Sequence, residues 1–266
     1  TKLMNANAFI DQSAALILAS TAKADALGVL DEQRVYLHGH ADAHDHWYVS
    51  DRQDFHAAPA MQQVFDAAFA IAGTHVGEID MFDVYSCFPS AVEVACNALG
   101  IAEADSRGLT VTGGLPYFGG PGNNYVTHAI AETMTRLRAR PGSKALVTAN
   151  GNYLTKHSAG IYSTDPPDGP FVPADSEAFQ AVVDATSGPA TTETANGRAT
   201  VETWTVMHER GEPAYAIIYG RLDDGTRFIA NTPADRDLLT EMTQRDFLGV
   251  FGDVTTQDGQ AVFVPR

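Results

Sequence analysis

Three observations predict an α/β layered domain followed by a small β-barrel. Short apolar runs alternate with stretches of helical periodicity, turns rich in glycine, thiol or aromatic residues close several of those runs, and the composition becomes strand-rich beyond residue 164. The expected boundaries are 1–163 for the layered domain, 164–196 for a linker and 197–266 for the barrel, of the oligonucleotide/oligosaccharide-binding (OB) type. At 266 residues with 44% hydrophobic content, the chain can bury a proper core.

Charge and cysteine usage narrow the function. With 33 acidic against 17 basic residues, the formal charge is -16, which opposes binding to nucleic acid or to an anionic membrane. The two cysteines, Cys87 and Cys96, share one short segment and form no disulfide framework, so a reducing cytoplasm is expected. No run approaches the roughly 18 apolar residues of a spanning helix. The opening TKLMNANAFIDQ has no initiating Met and reads as the middle of a longer protein.

Taken in order, residues 13–20 read as a strand and TAKADALGV as a short helix stopped by Gly28. Residues 34–38 read as the next strand. The polar stretch 39–56 reads as a loop bearing His40, His44, His46 and His56 beyond His38. Pro59 opens a helix with Met61, Val64, Phe65, Ala68 and Ile71 on one face. Residues 79–85 form a strand, and Pro89 opens a helix to Leu99 that is apolar around most of its circumference. Residues 109–112 read as a brief strand feeding GGLPYFGGPGNN, followed by the amphipathic helix YVTHAIAETMTRLRA. Residues 144–148 form a further strand. Past the linker come β-rich runs with turns at Asp224-Gly225 and Asp258-Gly259, interrupted by a helix over 234–242.

The turns MFDVYSCFPS, TVTGGLPYFGGPGNNY and LVTANGNYLTKH should gather at one sheet edge, where open α/β folds bind ligands. Cys87 lies between a strand and a helix N-terminus, a position that lowers a thiol's pKa and suits a nucleophile or an acid/base. It reads equally well as a small buried apolar residue. Cys96 is assigned to the core. The glycine loop can offer N–H groups to a negative oxygen, although it has neither a Walker motif nor GxGxxG spacing, and a tight structural turn explains it as well. The HGHADAHDH run could ligate zinc; surface or cofactor-contacting histidines are the preferred reading, so no metal is assigned. Asn150, Tyr153, Lys156 and His157 follow a strand as candidate polar groups, or as a turn satisfying its own backbone. No GxSxG occurs, which excludes the usual serine-hydrolase elbow.

Together and in order, these turns resemble the second half of the thiolase superfamily. FDVYSCFPSA resembles the NEAF box and, more closely, the HDCF box of the sterol-carrier-protein thiolase branch. TVTGGLPYFGGPGNN resembles the N-x-x-G-G-x-x-x-x-G-H-P loop, and TANGN holds the place of C-x-G-G-G. The nearest likeness is to actinobacterial thiolase-like proteins, often labelled acetyl-CoA acetyltransferases, with an appended C-terminal β-domain. The resemblance implies a layered αβα half-core over 1–163. It also implies that the acylated cysteine belongs to a first-half domain or chain outside this one, and that the assembly is a homo- or hetero-oligomer.

By the same resemblance, Cys87 matches the acid/base cysteine of HDCF, and Tyr85 stands where Asn or His holds an oxyanion-forming group. Ser86 replaces the acidic residue, Gly120 the GHP histidine and Thr148 the CxGGG cysteine. Ser86, Tyr117, Gly119, Gly120, Thr148, Asn150 and Tyr153 are the implied substrate-binding set. The implied activity is an acyltransferase or a retro-aldol C–C lyase of lipid or steroid metabolism that takes a coenzyme A thioester as substrate and needs no cofactor. In the lyase, Tyr85, Tyr117, Tyr153 or Cys87 would handle the proton. Thiolase-like lyases of steroid side-chain breakdown work with a separate OB-fold partner, which the β-domain here resembles. The alternative is a catalytically silent scaffold that keeps the fold.

Overall fold

The computed structural model describes residues 2–266, in two compact units. The first comprises residues up to Trp47 and Asp54–Thr186; the second comprises Tyr48–Gln53 and Ser187–Arg266. In the first unit the elements are α1 (Thr21–Ala26), β1 (Tyr36–His44), α2 (Pro59–Ala72), β2 (Met81–Asp83), α3 (Pro89–Leu99), α4 (Tyr125–Ala139), β3 (Lys144–Gly151), β4 (Lys156–Ser163) and α5 (Ser176–Asp184). Pro59 and Pro89 sit in the first turns of α2 and α3, where a missing N–H costs nothing, and Gly73 and Gly100 end these helices in the left-handed conformation.

The four strands form one sheet in the order β1-β4-β3-β2, with β2 parallel to β3 and the other pairs antiparallel. Alternation along the strands separates two apolar faces. Phe82, Leu146, Ala159, Ile161, Ala41 and Ala43 pack with α2 and α3. On the opposite face, Met81, Ala145 and Val147 pack with Leu137, Tyr125 and Ala129 of α4. Gly39 lets α2 lie directly on β1, because a Cβ there would fall 2.1 Å from the Ala68 carbonyl oxygen.

Four sequence expectations change. The histidine-bearing stretch is not a loop throughout: β1 runs to His44, paired with β4 along its length. Residues 13–20 pair with no strand among the described residues, and Ile17 is 94% exposed. Residues 109–112 bend instead of extending, because the Thr110 hydroxyl accepts the N–H groups of Thr112 and Gly113 and competes with any ladder. The stretch read as a linker carries α5, whose Val183 and Phe179 reach the first unit's core.

The second unit is a closed five-stranded barrel of β5 (Gly197–Glu209), β6 (Glu212–Leu222), β7 (Arg227–Asn231), β8 (Phe251–Gln257) and β9 (Gln260–Pro265), in the order β5-β6-β7-β9-β8. The helix α6 (Arg236–Gln244) lies between β7 and β8. Asp258 and Gly259 both take positive φ, as a two-residue hairpin requires. Among the described residues no helix is long and apolar enough to cross a membrane.

Arg227 anchors this unit. Its guanidinium has no exposed surface, donates to the carbonyls of Ser50, Arg52 and Gln53, and pairs with Glu202 at 2.6 Å. Removing one member of a buried pair strands the rest, so Arg227→Ala should lower stability by about 3–5 kcal/mol. Urea denaturation measures this, and a loss below about 1 kcal/mol would class the cluster with ordinary surface pairs.

Candidate functional site

The chain leaves β2 at Asp83 and turns through residues 85–88 into α3. Neighbouring segments hold that turn in place. The Tyr85 N–H donates to Thr148 Oγ1 at 2.9 Å, so the expected substrate-binding threonine is engaged with the backbone at the end of β3. The Ser86 hydroxyl accepts the Leu115 N–H at 3.1 Å, tying the turn to the glycine loop. Gly114 makes this approach possible: its φ is +80°, and a Cβ would sit 2.8 Å from Ser86 Oγ. The carbonyl of Cys87 accepts the Ala6 N–H at 2.9 Å.

The Cys87 thiol is half-buried and faces the side chain of Asn150, whose Nδ2 donates to Sγ at 3.7 Å. Asn150 cannot flip freely, because its Oδ1 accepts the Leu154 N–H at 2.9 Å. Burial pushes the Cys87 thiol above its ordinary range, offset in part by the N–H groups of Phe88 and of Cys87 itself. The expected thiolate is thereby replaced by a neutral thiol, since desolvation outweighs the helix N-terminus. Burial, with the adjacent Cys87, likewise raises the Tyr85 phenol.

The turn after β3 is the strained element of the site. Asn152, Tyr153 and Leu154 have φ of 54°, 31° and 50°, three consecutive non-glycine residues in the left-handed region. Each costs on the order of 1 kcal/mol. The turn is held by the buried Leu154 side chain, by the Asn150 bond and by the Thr155 hydroxyl, which donates to the Asn152 carbonyl at 2.6 Å. Tyr153 packs edge-on against Phe88, and its phenol pairs with Ser90 Oγ at 2.9 Å.

The glycine loop is held by the segment before α1. The Gly120 N–H donates to the Asn7 carbonyl at 2.8 Å, the Asn7 N–H donates to the Leu115 carbonyl, and the Gln12 amide donates to the Phe118 carbonyl. Residues 6–12 therefore strap the loop to the Cys87 turn. Gly119 lies under Ile10 of that strap, and Tyr117 is 86% exposed. Tyr85, Ser86, Cys87, Thr148, Asn150 and Tyr153 thus come together, whereas Gly120 is spent on the strap and Tyr117 points away from it.

Sequence reasoning missed the group beneath the turn. The Asp83 carboxylate is fully buried and accepts from the Val111 N–H at 3.0 Å, the Thr110 hydroxyl at 2.9 Å and the Tyr125 phenol at 3.0 Å. Burial raises its pKa above the usual carboxylate value. The available signal was a charged residue between Phe82 and Val84 in a buried run.

A cavity of about 770 Å³ opens on the α4 face of the sheet, lined by Tyr85, Tyr125, His44, Lys156 and Ser158 together with Asp42, Glu177 and Asp184. Its size suits a small molecule. The histidines do not converge on a metal. His38 donates to the Asp165 carbonyl and His46 to that of Thr186, His40 stacks on Phe171, and His44 stacks on Trp47. Among the described residues no group of three or more His, Cys, Asp or Glu could hold an ion. His157 lies buried 3.4 Å from Asp45, whose carboxylate also accepts the Ala60 N–H at the start of α2.

Residues 178–260 match the family model described as "Thiolase-like protein type 1 additional C-terminal domain". The chain is similar in structure to a monomeric SCP2-thiolase like protein type 1 from Mycobacterium smegmatis, with TM-score 0.85 and 43% identity over 92% of this chain and 53% of that one. It therefore spans about half the length of that relative. A more distant likeness is human mitochondrial 3-ketoacyl-CoA thiolase, at 17% identity and TM-score 0.44 over 56% of this chain and 34% of that one. No curated protein matches the chain.

Two outcomes test the geometry. Thr148→Val removes the acceptor of the Tyr85 N–H and should cost about 1–3 kcal/mol, with faster hydrogen exchange at Tyr85; an unchanged amide would show that another group holds the turn. Asp83 has a raised folded-state pKa, so the folded state binds the proton more tightly than the unfolded one. Its contribution to stability is present below the unfolded pKa and is lost as pH rises through the folded value. Denaturation at a series of pH values above the usual carboxylate range should show a falling slope that Asp83→Asn flattens.

Proposed function

Since the chain belongs to the thiolase superfamily, we propose that it forms the second core half of an enzyme acting on acyl-CoA thioesters, as an acyltransferase or a C–C lyase. The observation that carries this reading is the neutral Cys87 thiol aligned by the Asn150 amide at the end of the sheet, with Tyr85 one residue removed from it. A protonated thiol is suited to give a proton to a carbanion and not to attack a carbonyl. In a retro-aldol cleavage, a base takes the β-hydroxyl proton, the Cα–Cβ bond breaks, and a ketone or aldehyde leaves. The Cys87 S–H then protonates the α-carbon of the remaining thioester enolate, and Tyr85 can donate a hydrogen bond to the enolate oxygen.

The cavity favours one orientation of such a ligand. Asp42, Glu177 and Asp184 outnumber Lys156 there, so the diphosphate of coenzyme A is repelled and the thioester end is the part that reaches Tyr85. On this reading the acylated cysteine is supplied by a complementary core half, a domain or chain paired with this one. The mycobacterial relative is described as monomeric, which supports pairing within one copy over a homo-oligomer. The five closed strands with a helix before the fourth support an OB-type barrel, and the chain's charge of -16 argues against nucleic acid as its ligand. A cytoplasmic setting fits two free, unpaired thiols. The second reading, a silent thiolase-fold scaffold, is favoured by Gly120 and Thr148, which stand at expected catalytic positions and are engaged in backbone bonds.

Turnover separates the two. With a panel of acyl-CoA thioesters, Cys87→Ala and Tyr85→Phe should each lower the rate by about 100-fold or more while the melting temperature stays near that of the parent. Undiminished rates sink the catalytic reading. Absence of any turnover, with thioesters raising the melting temperature, establishes the scaffold.

A further inference from the structure

The left-handed turn after β3 has a use that the reaction above does not assign. Three strained residues in succession persist only where the surroundings over-determine them, and here the result is to place Tyr153. Leu154, next to it, is buried in the core, and the Leu154 N–H binds the same Asn150 that faces Cys87. The Tyr153 ring meets Phe88 edge-on at 5.3 Å between centroids, and its phenol reaches Ser90 at 2.9 Å. Tyr153 therefore contacts residues on the chain just after Cys87, while its own hairpin contacts the thiol. Tyr153 and Phe88 are each still 39% exposed, so the ring belongs to the surface over the residue that follows Cys87 and not to the core.

We infer that Tyr153 is a specificity-determining residue, a fixed wall on the α3 side of Cys87 that limits the bulk of the group able to reach the thiol. This rests on the reading that a substrate approaches Cys87. A wall carried on a flexible loop would yield to a large ligand. One carried on a turn locked by Asn150, Leu154 and Thr155 does not, and the Ser90 bond fixes the ring's remaining torsion.

Thiol labelling followed by mass spectrometry tests this without any acyl-CoA, so its outcome is separate from that of the turnover assay. Cys87 is labelled with iodoacetamide and, in parallel, with N-(1-pyrenyl)maleimide; Cys96, 1% exposed, reports unfolding. The parent should discriminate against the pyrene reagent. Tyr153→Ala should raise the pyrene-to-iodoacetamide rate ratio by about tenfold or more, equivalent to about 1.4 kcal/mol in barrier, and Tyr153→Phe, which keeps the ring against Phe88 but loses the Ser90 bond, should raise it by less. An unchanged ratio in Tyr153→Ala with Cys96 still protected overturns the inference. Should Cys96 become reactive in Tyr153→Ala, Tyr153→Leu, which keeps an apolar contact with Phe88, decides by the same ratio.

Discussion

Asp83 is a carboxylate with no exposed surface at the end of a three-residue strand, and three donors from the 110–125 stretch converge on it. A buried carboxylate tolerates this only when its oxygens are satisfied, and satisfying them fixes the route of the chain. The Thr110 and Val111 bonds draw the segment after α3 against β2, and the Tyr125 bond seats the first turn of α4. Tyr125 in turn presents its edge to the Tyr85 ring at 5.5 Å. Two segments distant in sequence, the Cys87 turn and the glycine loop, are thereby referred to one point beneath both. Burial raises the Asp83 pKa, and the carboxylate has no exposed surface.

Where local chemistry decides conformation, the sequence was readable. Pro59, Pro89, Gly73 and Gly100 bound α2 and α3 as proline and glycine should, and the period-2 runs beyond residue 197 are strands. The three turns were also readable as a group, because each follows an apolar run. What could not be read depends on partners distant in the chain. Residues 13–20 have a strand's composition and, among the described residues, no strand beside them. The β1 histidines look like a polar loop until β4 pairs with them and the Asp165 carbonyl accepts the His38 ring N–H, as that of Thr186 accepts the His46 ring N–H. The Gln180 amide bonds both the N–H and the C=O of His44, so a side chain continues the ladder at the sheet edge, which no local pattern announces.

The thiol shows the same limit at finer scale. Position alone, between a strand and a helix N-terminus, argues for a thiolate, because the dipole and free N–H groups favour negative charge. Burial argues the other way, and it wins because the groups around Sγ are mostly apolar: Cys87 packs against both apolar layers, and its one side-chain donor is an uncharged amide at 3.7 Å. Among the described residues no lysine, arginine or histidine is among the groups that shift the thiol. The difference decides the chemistry open to the site. A thiolate here would be a nucleophile, whereas a neutral thiol that accepts from the Asn150 amide still has a proton to give. Asn150, near the end of β3, is held in turn by the strained residues that follow it, because the Leu154 N–H binds its Oδ1.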